Sequence, residues 1–325
     1  FEHASTFGSL IQIPQAFAKK LPDLESKLNK ALDSGDIFAQ QSAQDLLPLV
    51  QQAKLLGKQY DAVIANPPYM GGKGMNTALK DFAKKKFPDS KSDMFAMFIE
   101  RCQELSKASG ETAFVTPYVW MFISSYEQMR SKLITDATIQ SLIQLEYNAF
   151  EPACVPVCAF IVGKSHIPNF VGSYIKLSEF KGHENQAPKT LEAINNPNCG
   201  WFFNARADDF KKIPGSPIAY WLSDKVFNIF DSMESIGSIA DFKQGMSTTD
   251  AERFVRRWME VPLYNINFYK YNGKGKGAKW FPFNKGGDFR KWYGNNEFLV
   301  LYENDGEDLI SLVREKYPKI SDPEF

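Results

Sequence analysis

YDAVIANPPYMGGKGMN, residues 60–76, runs from four apolar residues directly into the tetrapeptide Asn66-Pro67-Pro68-Tyr69 and then into a glycine-rich loop. The apolar run predicts a buried β-strand. Strand and helix patterns alternate downstream of it, which is typical of an open α/β sheet. Because the ligands of such sheets bind at the carboxyl ends of the strands, we expect Asn66 to stand at a ligand-binding edge.

The tetrapeptide is stiff, and the stiffness has a chemical consequence. Pro67 pushes Asn66 toward an extended conformation, and neither Pro67 nor Pro68 has an N–H group that a helix could use. The side-chain oxygen of Asn66 and the carbonyl oxygen of Pro67 are therefore held in fixed directions, beside the flat ring of Tyr69. Two fixed acceptors next to a ring suit a planar substrate that carries an exocyclic amine. A tight turn in which Tyr69 only packs is the alternative interpretation.

The rest of the chain predicts a helical beginning followed by alternating strands and helices. The pattern of residues 1–59 predicts amphipathic helices, with breaks at Pro14, Pro22, Gly35 and Pro48. Further on, SDMFAMFIERCQELSKASG predicts a helix that Ser92 caps and Gly110 stops. ETAFVTP predicts a strand, a helix capped by Ser125 is expected near Ser124–Leu133, and TIQSLIQL and CVPVCAFIVG predict two more strands. This order indicates a parallel sheet covered by helices.

From about residue 195 the alternation is lost, and Asn, Pro, Gly and aromatic residues dominate. The length of 325 residues favours roughly two domains. We expect a helical N-terminal segment over residues 1–59 and a catalytic core over 60–194. Residues 195–325 would form a linker and the start of an irregular or β-rich second domain, with a helix near Ala219–Phe230 between the two.

Composition excludes several classes of protein. Lysine plus arginine equals aspartate plus glutamate, 38 each, which argues against a generally basic nucleic-acid coat but not against a local basic stripe. Four cysteines form neither a disulfide framework nor a metal-ligand pattern, so we expect a reducing, cytoplasmic setting and no metal site. Neither a membrane-spanning apolar run nor a signal peptide is visible.

NPPY at residues 66–69 is similar to motif IV of amino-methyltransferases that act on DNA, in which Asp, Asn or Ser precedes two prolines and an aromatic residue. Four segments resemble the PglX-type adenine-specific DNA methyltransferases of bacterial phage-exclusion (BREX) systems. They are ANPPYMGGKGMN, KSDMFAMFIERC, VWMFISSYEQMR and KWFPFNKGGDFRKWYGNN. They resemble the fused restriction-methylation enzymes more loosely. The resemblance covers most of the chain from about residue 5 onward. It implies an incomplete Rossmann-like methyltransferase sheet, followed by the start of a target-recognition domain.

The resemblance also implies an activity and the residues that carry it. A methyl group would pass from S-adenosylmethionine to adenine N6 of a flipped base in double-stranded DNA. Asn66, Pro67, Pro68 and Tyr69 would be catalytic, with Asn66 and Pro67 holding the amine and Tyr69 stacking on the base. Phe150 matches a second aromatic position of the family, and a core Phe at a strand edge is the alternative for it.

The family binds its cofactor through a glycine-rich turn upstream of motif IV. No such turn follows a convincing strand before Asn66, so the cofactor half of the site is expected to be missing and its residues stay unknown. We therefore expect this piece to be inactive alone.

Basic and aromatic residues alternate in the C-terminal part of the chain. FKQGMSTTDAERFVRRW, residues 242–258, resembles the opening of a target-recognition domain, in which Thr248, Thr249 and Asp250 would cap a helix carrying Arg253, Arg256 and Arg257. Cations beside aromatic rings suit phosphate contact and base stacking, and a solvated basic loop is the alternative. The residues predicted to bind DNA are Arg253, Arg256, Lys274, Lys276, Lys279, Lys285 and Arg290.

Two other functions stay open at this point. One is a DNA-binding specificity module without catalytic activity, and the other is an amino-methyltransferase acting on RNA or on a glutamine side chain of a protein. The long aromatic and basic C-terminal region favours DNA over the second. The resemblance further implies a role in phage defence or restriction-modification and association with other subunits of such a system.

Overall fold

The computed structural model describes residues 3–150, 155–241, 245–268 and 279–318. The chain divides into two units, Phe1–Ser235 and Ile236–Phe325. Within the described residues, no helix is both long enough and apolar enough to cross a bilayer.

The first unit begins with a helical segment, as the sequence predicts. Its α-helices are α1 (Ala4–Phe7), α2 (Gln15–Ala18), α3 (Leu21–Leu32) and α4 (Ile37–Gly57). Pro14 and Gly35 lie between helices, but the breaks predicted at Pro22 and Pro48 are wrong. Pro22 occupies the first turn of α3, where a missing N–H group leaves no bond unmade. Pro48 lies inside α4, whose Val50 and Ala53 pack against Leu21.

A six-stranded sheet follows, with the order β1-β2-β4-β3-β5-β6. Its strands are β1 (Tyr60–Ala65), β2 (Ser106–Pro117), β3 (Thr138–Gln144), β4 (Val157–Gly163), β5 (Val171–Lys176) and β6 (Phe202–Arg206). The sheet is mixed, so the predicted all-parallel arrangement is wrong: β1 and β2 are parallel, but β4 is antiparallel to both β2 and β3. The described part of the connection from β3 to β4 contains no helix, and strands joined without a crossover helix pair antiparallel.

Five further α-helices follow β1 in the described part of the first unit. They are α5 (Thr77–Lys86), α6 (Met94–Leu105), α7 (Glu127–Asp136), α8 (His183–Asn195) and α9 (Asp224–Ser232). Phe95 and Ile99 of α6 pack with Phe114 and Phe160 of the sheet in the main core. Arg101 of the same helix is buried and donates to the carbonyl oxygens of Ser9, Ile11 and Leu56, which ties the N-terminal segment to α6.

The ends of these helices differ from the predicted ones. Asp93, not Ser92, caps α6, and the helix ends at Leu105 because residues 106–117, Gly110 included, belong to β2. The side chain of Ser125 does not cap α7, which begins after a short 3-10 turn. The helix expected near residues 219–230 is α9, which begins five residues later.

One face of the sheet is open near β1. Val63 and Ala65 pack against the main core, whereas Ile64 between them is 82% exposed. The prediction that β1 is buried therefore holds for one of its faces only. In the described sheet β1 is also an edge strand, with β2 as its neighbour on one side.

The second unit is small and contains an antiparallel sheet of order β7-β9-β8. Its elements are α10 (Ala251–Phe254), β7 (Val255–Arg257), β8 (Trp280–Phe283), β9 (Phe298–Leu301) and α11 (Glu307–Lys316). Phe254, Val300, Leu309 and Val313 form its core. Two aromatic residues of β8, Phe281 and Phe283, pack against this core, so they fill space.

Candidate active site

The tetrapeptide at residues 66–69 lies at the carboxyl end of β1, as predicted. Ala65 pairs with Phe114 in the parallel ladder, so Asn66 leaves the sheet beside Val115 of β2. Asn66 is exposed, and Pro67 after it is buried. A buried proline with a locked φ anchors the turn while the carboxamide before it stays open to solvent.

Tyr69 lies at this strand end, where its hydroxyl has hydrogen-bond acceptors and its ring has an aromatic neighbour. Its hydroxyl lies 3.2 Å from Oδ1 of Asn66 and 3.1 Å from the carbonyl oxygen of Val115. The Phe95 ring meets the Tyr69 ring edge-on, with 6.4 Å between centroids and 86° between planes. The Tyr69 side chain is still 39% exposed, and partial burial, with a smaller effect of Cys158, raises the pKa of its phenol. A neutral ring with a free surface is what a stacking role requires.

An apolar cavity of about 310 Å³ opens next to Asn66 on the uncovered face of the sheet. Its walls come from β1 to β4 and are formed by Ile64, Ala65, Asn66, Ala113, Phe114, Val115, Ser141, Ile143, Ala159, Phe160 and Ile161. Asn66 and Ser141 are the only polar residues in this lining. A dinucleotide-like cofactor needs a carboxylate for its ribose and a glycine turn for close approach. The lining supplies neither, so it does not fit S-adenosylmethionine by itself.

Phe150 lies in the turn that follows β3 and is 51% exposed. Strands β1 and β3 run in the same direction, because β1 is parallel to β2 and β4 is antiparallel to both β2 and β3. Phe150 and Asn66 therefore follow the carboxyl ends of strands at the same edge of the sheet. Three strand spacings separate β1 from β3, or about 14 Å at the usual spacing. The structure places Phe150 at the predicted edge, and its role stays a prediction.

The predicted DNA-binding residues fall on different elements of the second unit. Asp250 caps α10, but this helix has four residues and carries only Arg253. The prediction that it also carries Arg256 and Arg257 is wrong, since both lie in β7, where Arg256 pairs with Leu299. A helix cannot continue there because these residues complete the small sheet.

The predicted lysines differ in their surroundings. Lys279 precedes β8 and forms an ion pair with Glu303 at 3.1 Å. Lys285 lies over the ring of Phe298, and Arg290 is exposed in the segment between β8 and β9. Three aromatic rings of that segment, Phe289, Trp292 and Tyr293, are each more than 80% exposed. Lys274 and Lys276 lie outside the described residues.

Asp93 belongs to this site, although the sequence pattern did not predict it there. Its carboxylate accepts from the backbone N–H of Met70, the residue after Tyr69, at 3.0 Å. The signal was present in the sequence, because an Asp directly before an apolar helical run is a strong N-cap. Only the fold shows that this cap also reaches the tetrapeptide.

Comparison with known proteins adds a family context to this geometry. Residues 9–150 match the family described as Eco57I restriction-modification methylase. The chain is 42% identical over 313 residues to the adenine-specific methyltransferase BrxX of Escherichia coli O9:H4 (strain HS), an alignment covering 95% of this chain and 25% of that protein. It is 35% identical over 331 residues to the adenine-specific methyltransferase PglX of Lacticaseibacillus casei (strain Zhang), which covers 98% and 27% of the two chains.

A more distant relative is the type II restriction enzyme and methyltransferase RM.Eco57I of Escherichia coli. It is 22% identical over 358 residues, which cover 98% of this chain and 34% of the relative. The chain thus spans about a quarter of the length of the BrxX and PglX relatives.

Proposed function

Because this chain is a homologue of the BrxX and PglX adenine-specific methyltransferases, we propose that it forms part of a DNA methyltransferase that transfers a methyl group from S-adenosylmethionine to adenine N6. Residues 60–194 would be its catalytic core. The observation that carries this proposal is the exposed carboxamide of Asn66 at a strand end, whose Oδ1 accepts a hydrogen bond from the hydroxyl of the partly exposed Tyr69.

The proposed work of the tetrapeptide is to hold and activate an amine. An adenine amine is a poor nucleophile because its lone pair is delocalised into the ring. Its two N–H groups would donate to Oδ1 of Asn66 and to the carbonyl oxygen of Pro67, which draws the nitrogen toward tetrahedral geometry and localises the lone pair. This is catalysis by position and by fixed dipoles, without a covalent enzyme intermediate.

Tyr69 would bind the base itself. An adenine in duplex DNA is reached only after it has been flipped out of the stack, at a cost of a few kcal/mol. Stacking on an aromatic ring offsets about 1–3 kcal/mol per base. Phe150, at the same edge of the sheet, is proposed as a second aromatic contact.

S-adenosylmethionine would supply the electrophilic methyl group, whereas residues 66–69 and Phe150 would act on the adenine, through its amine and its ring. The cavity lining beside Asn66 does not fit this cofactor by itself. The open edge of β1 and the exposed Ile64 leave room for a further part of the protein. We propose that this part holds the cofactor, which agrees with the small share of the relatives' length that the chain spans.

The second unit is proposed as the beginning of a region that recognises DNA. The cations proposed to contact phosphates are Arg253, Arg256, Lys279, Lys285 and Arg290. The exposed rings of Phe289, Trp292 and Tyr293, which flank Arg290 in the sequence, suit stacking. Lys274 and Lys276 are included on sequence grounds alone. A role in phage defence or restriction-modification in the cytoplasm, with other subunits of such a system, is proposed from the homology.

The deciding experiment measures N6-methyladenine formed by the full-length protein that contains this chain. Asn66→Ala should reduce turnover by at least about a hundredfold, because the variant loses a fixed acceptor of the reacting amine, while DNA affinity changes little. Asn196→Ala is the matched control: Asn196 also precedes a proline and is exposed, but it caps the end of α8.

The alternatives predict other results. A protein that binds DNA and never methylates it would be the specificity module. Methylation of RNA or of a glutamine side chain in preference to DNA would indicate the third function. Unchanged turnover in Asn66→Ala would reject the role assigned to that residue.

A further inference from the structure

The segment directly after Tyr69 is paired with the segment that begins α6. The backbone N–H of Met94 donates to the carbonyl oxygen of Met70 at 3.1 Å, and that of Gly72 donates to the carbonyl oxygen of Ser92 at 3.2 Å. Gly71 and Asp93 form an isolated antiparallel bridge between these bonds. The chain that leaves the tetrapeptide therefore has a fixed path, although it lies in a glycine-rich loop.

The carboxylate of Asp93 adds a bond at the point closest to Tyr69. Its Oδ1 accepts from the N–H of Met70 at 3.0 Å and from the N–H of Phe95 at 3.2 Å. The first bond fixes the peptide plane that joins Tyr69 to Met70. The second caps α6 and orients its first turn. One oxygen atom thus connects the tetrapeptide to the helix.

The same helical turn also contacts the ring of Tyr69. Phe95 is buried, and its ring meets the Tyr69 ring edge-on. Asp93 therefore fixes the backbone after Tyr69 and, through the cap, the residue that supports the Tyr69 ring. Loss of the carboxylate would remove one hydrogen bond from each, while the backbone bonds between the two segments remain.

We propose that Asp93 is a positioning residue for methyl transfer, which acts by holding Tyr69 and the tetrapeptide in the geometry that receives the flipped base. This inference rests on the proposed function of the site. Asp93 would not touch the amine or the methyl donor, and it would work as a hydrogen-bond acceptor and not as an acid or a base. Small displacements at a reacting centre are expensive: about 1 Å can cost a hundredfold in rate.

The test compares three variants of the full-length protein. Asp93→Ala removes both bonds, and Asp93→Asn keeps an oxygen that accepts them. Asp36→Ala is the matched control, because the side chain of Asp36 caps α4 by accepting from the N–H groups of Phe38 and Ala39, both in its own helix. Both alanine variants lose an Asp cap of the same kind.

Asp93→Ala should lower kcat by about ten- to a hundredfold, with a much smaller change in KM for DNA. Asp93→Asn should stay within about threefold of the wild type, and Asp36→Ala within about twofold. Hydrogen exchange at Met70 and Gly72 should be faster in Asp93→Ala and unchanged in Asp36→Ala. A purely structural cap would lower stability in both alanine variants but would not single out kcat or these amides.

Two results would overturn the inference. One is equal turnover of Asp93→Ala and Asp36→Ala, and the other is a loss in Asp93→Asn as large as that in Asp93→Ala, since the amide still accepts both bonds. An inactive wild type would refute the proposed function and, with it, the positioning role of Asp93 in methyl transfer. The exchange rates would then still show whether Asp93 holds the segment, so the two failures can be told apart.

Discussion

The hydroxyl of Tyr69 lies 3.2 Å from Oδ1 of Asn66, the atom that is proposed to receive the target amine. The same hydroxyl lies 3.1 Å from the carbonyl oxygen of Val115. A phenol has one proton to donate, so it serves one of these acceptors fully at a time. When an amine occupies Oδ1 of Asn66, the hydroxyl of Tyr69 still has the carbonyl oxygen of Val115. The ring can thus stay in place while its partner changes.

The first prediction separates the ring of Tyr69 from its hydroxyl. Tyr69→Ala should reduce methyl transfer by about ten- to a hundredfold, because stacking on the flipped base is lost. Tyr69→Phe keeps the ring and should stay within about tenfold of the wild type, since one hydrogen bond contributes about 1 kcal/mol. Single-turnover methylation of a duplex with one target adenine measures both effects.

A matched control exists for the hydroxyl. Tyr60→Phe removes a bond from a phenol to the carbonyl oxygen of Leu55, away from the strand end, and should leave the rate unchanged. Wild-type turnover in Tyr69→Ala would show that the ring does not stack on the substrate.

The second prediction concerns pH and Asp93. Burial raises the pKa of the Asp93 carboxyl, against the lowering effect of backbone hydrogen bonds from Phe95, Met70 and Met94. Compared with the unfolded chain, the folded protein therefore favours the neutral carboxyl. The stability that follows from this preference is fully present below the ordinary carboxyl pKa and is lost as pH rises through the folded-state pKa. Nearby Tyr126, whose pKa burial raises to about 12, stays neutral throughout.

Asp93→Asn does not ionise, so the wild type should lose stability relative to this variant as pH rises from the ordinary carboxyl pKa of about 4 through the raised folded-state value. Urea midpoints of both proteins measured across that range test the sign. A wild type that gains stability relative to Asp93→Asn with rising pH would contradict it.

The third prediction concerns the buried guanidinium of Arg130, which is 1% exposed. It donates to the carbonyl oxygens of Trp120, Ile123, Gly215 and Ser216, and so joins the start of α7 to a distant loop. Arg130→Met removes this donor from all four carbonyl oxygens, of which that of Ile123 keeps a bond from the N–H of Tyr126. A buried acceptor left unpaired costs about 1–3 kcal/mol, so the variant should destabilise the fold by more than about 3 kcal/mol in total.

Chemical denaturation followed by circular dichroism measures this loss. Arg206→Met is the comparison, because Arg206 is an exposed arginine paired with Asp209 at 2.9 Å, and its loss should change stability by no more than about 1 kcal/mol. Similar shifts in the two variants would mean that the buried network contributes little.

The fourth prediction concerns DNA binding by the second unit. Arg290 is exposed, whereas Lys279 is already paired with Glu303. Arg290→Ala should weaken binding and reduce the slope of log affinity against log salt by about one, the value for one phosphate contact. Lys279→Ala should have a smaller effect on both quantities, because its charge is partly neutralised in the free protein.

Fluorescence anisotropy of a labelled duplex between about 50 and 200 mM salt gives both slopes. Lys27→Ala, in an exposed ion pair with Asp23 on α3, controls for the loss of a surface charge. Equal slopes for Arg290→Ala and the control would remove Arg290 from the proposed interface.

The sequence by itself determined the local parts of this protein: the helical start, the strand before Asn66, and the stiff turn at residues 66–69. These follow from side-chain periodicity and from the locked φ angles of two prolines, which act over a few residues. Only the tertiary structure decided that β4 runs antiparallel, that Ile64 faces an open cavity, that Arg256 joins a strand, and that Asp93 reaches Met70. Each depends on which distant segment lies alongside, and a packing contact across 23 residues or more leaves no periodic trace in the chain.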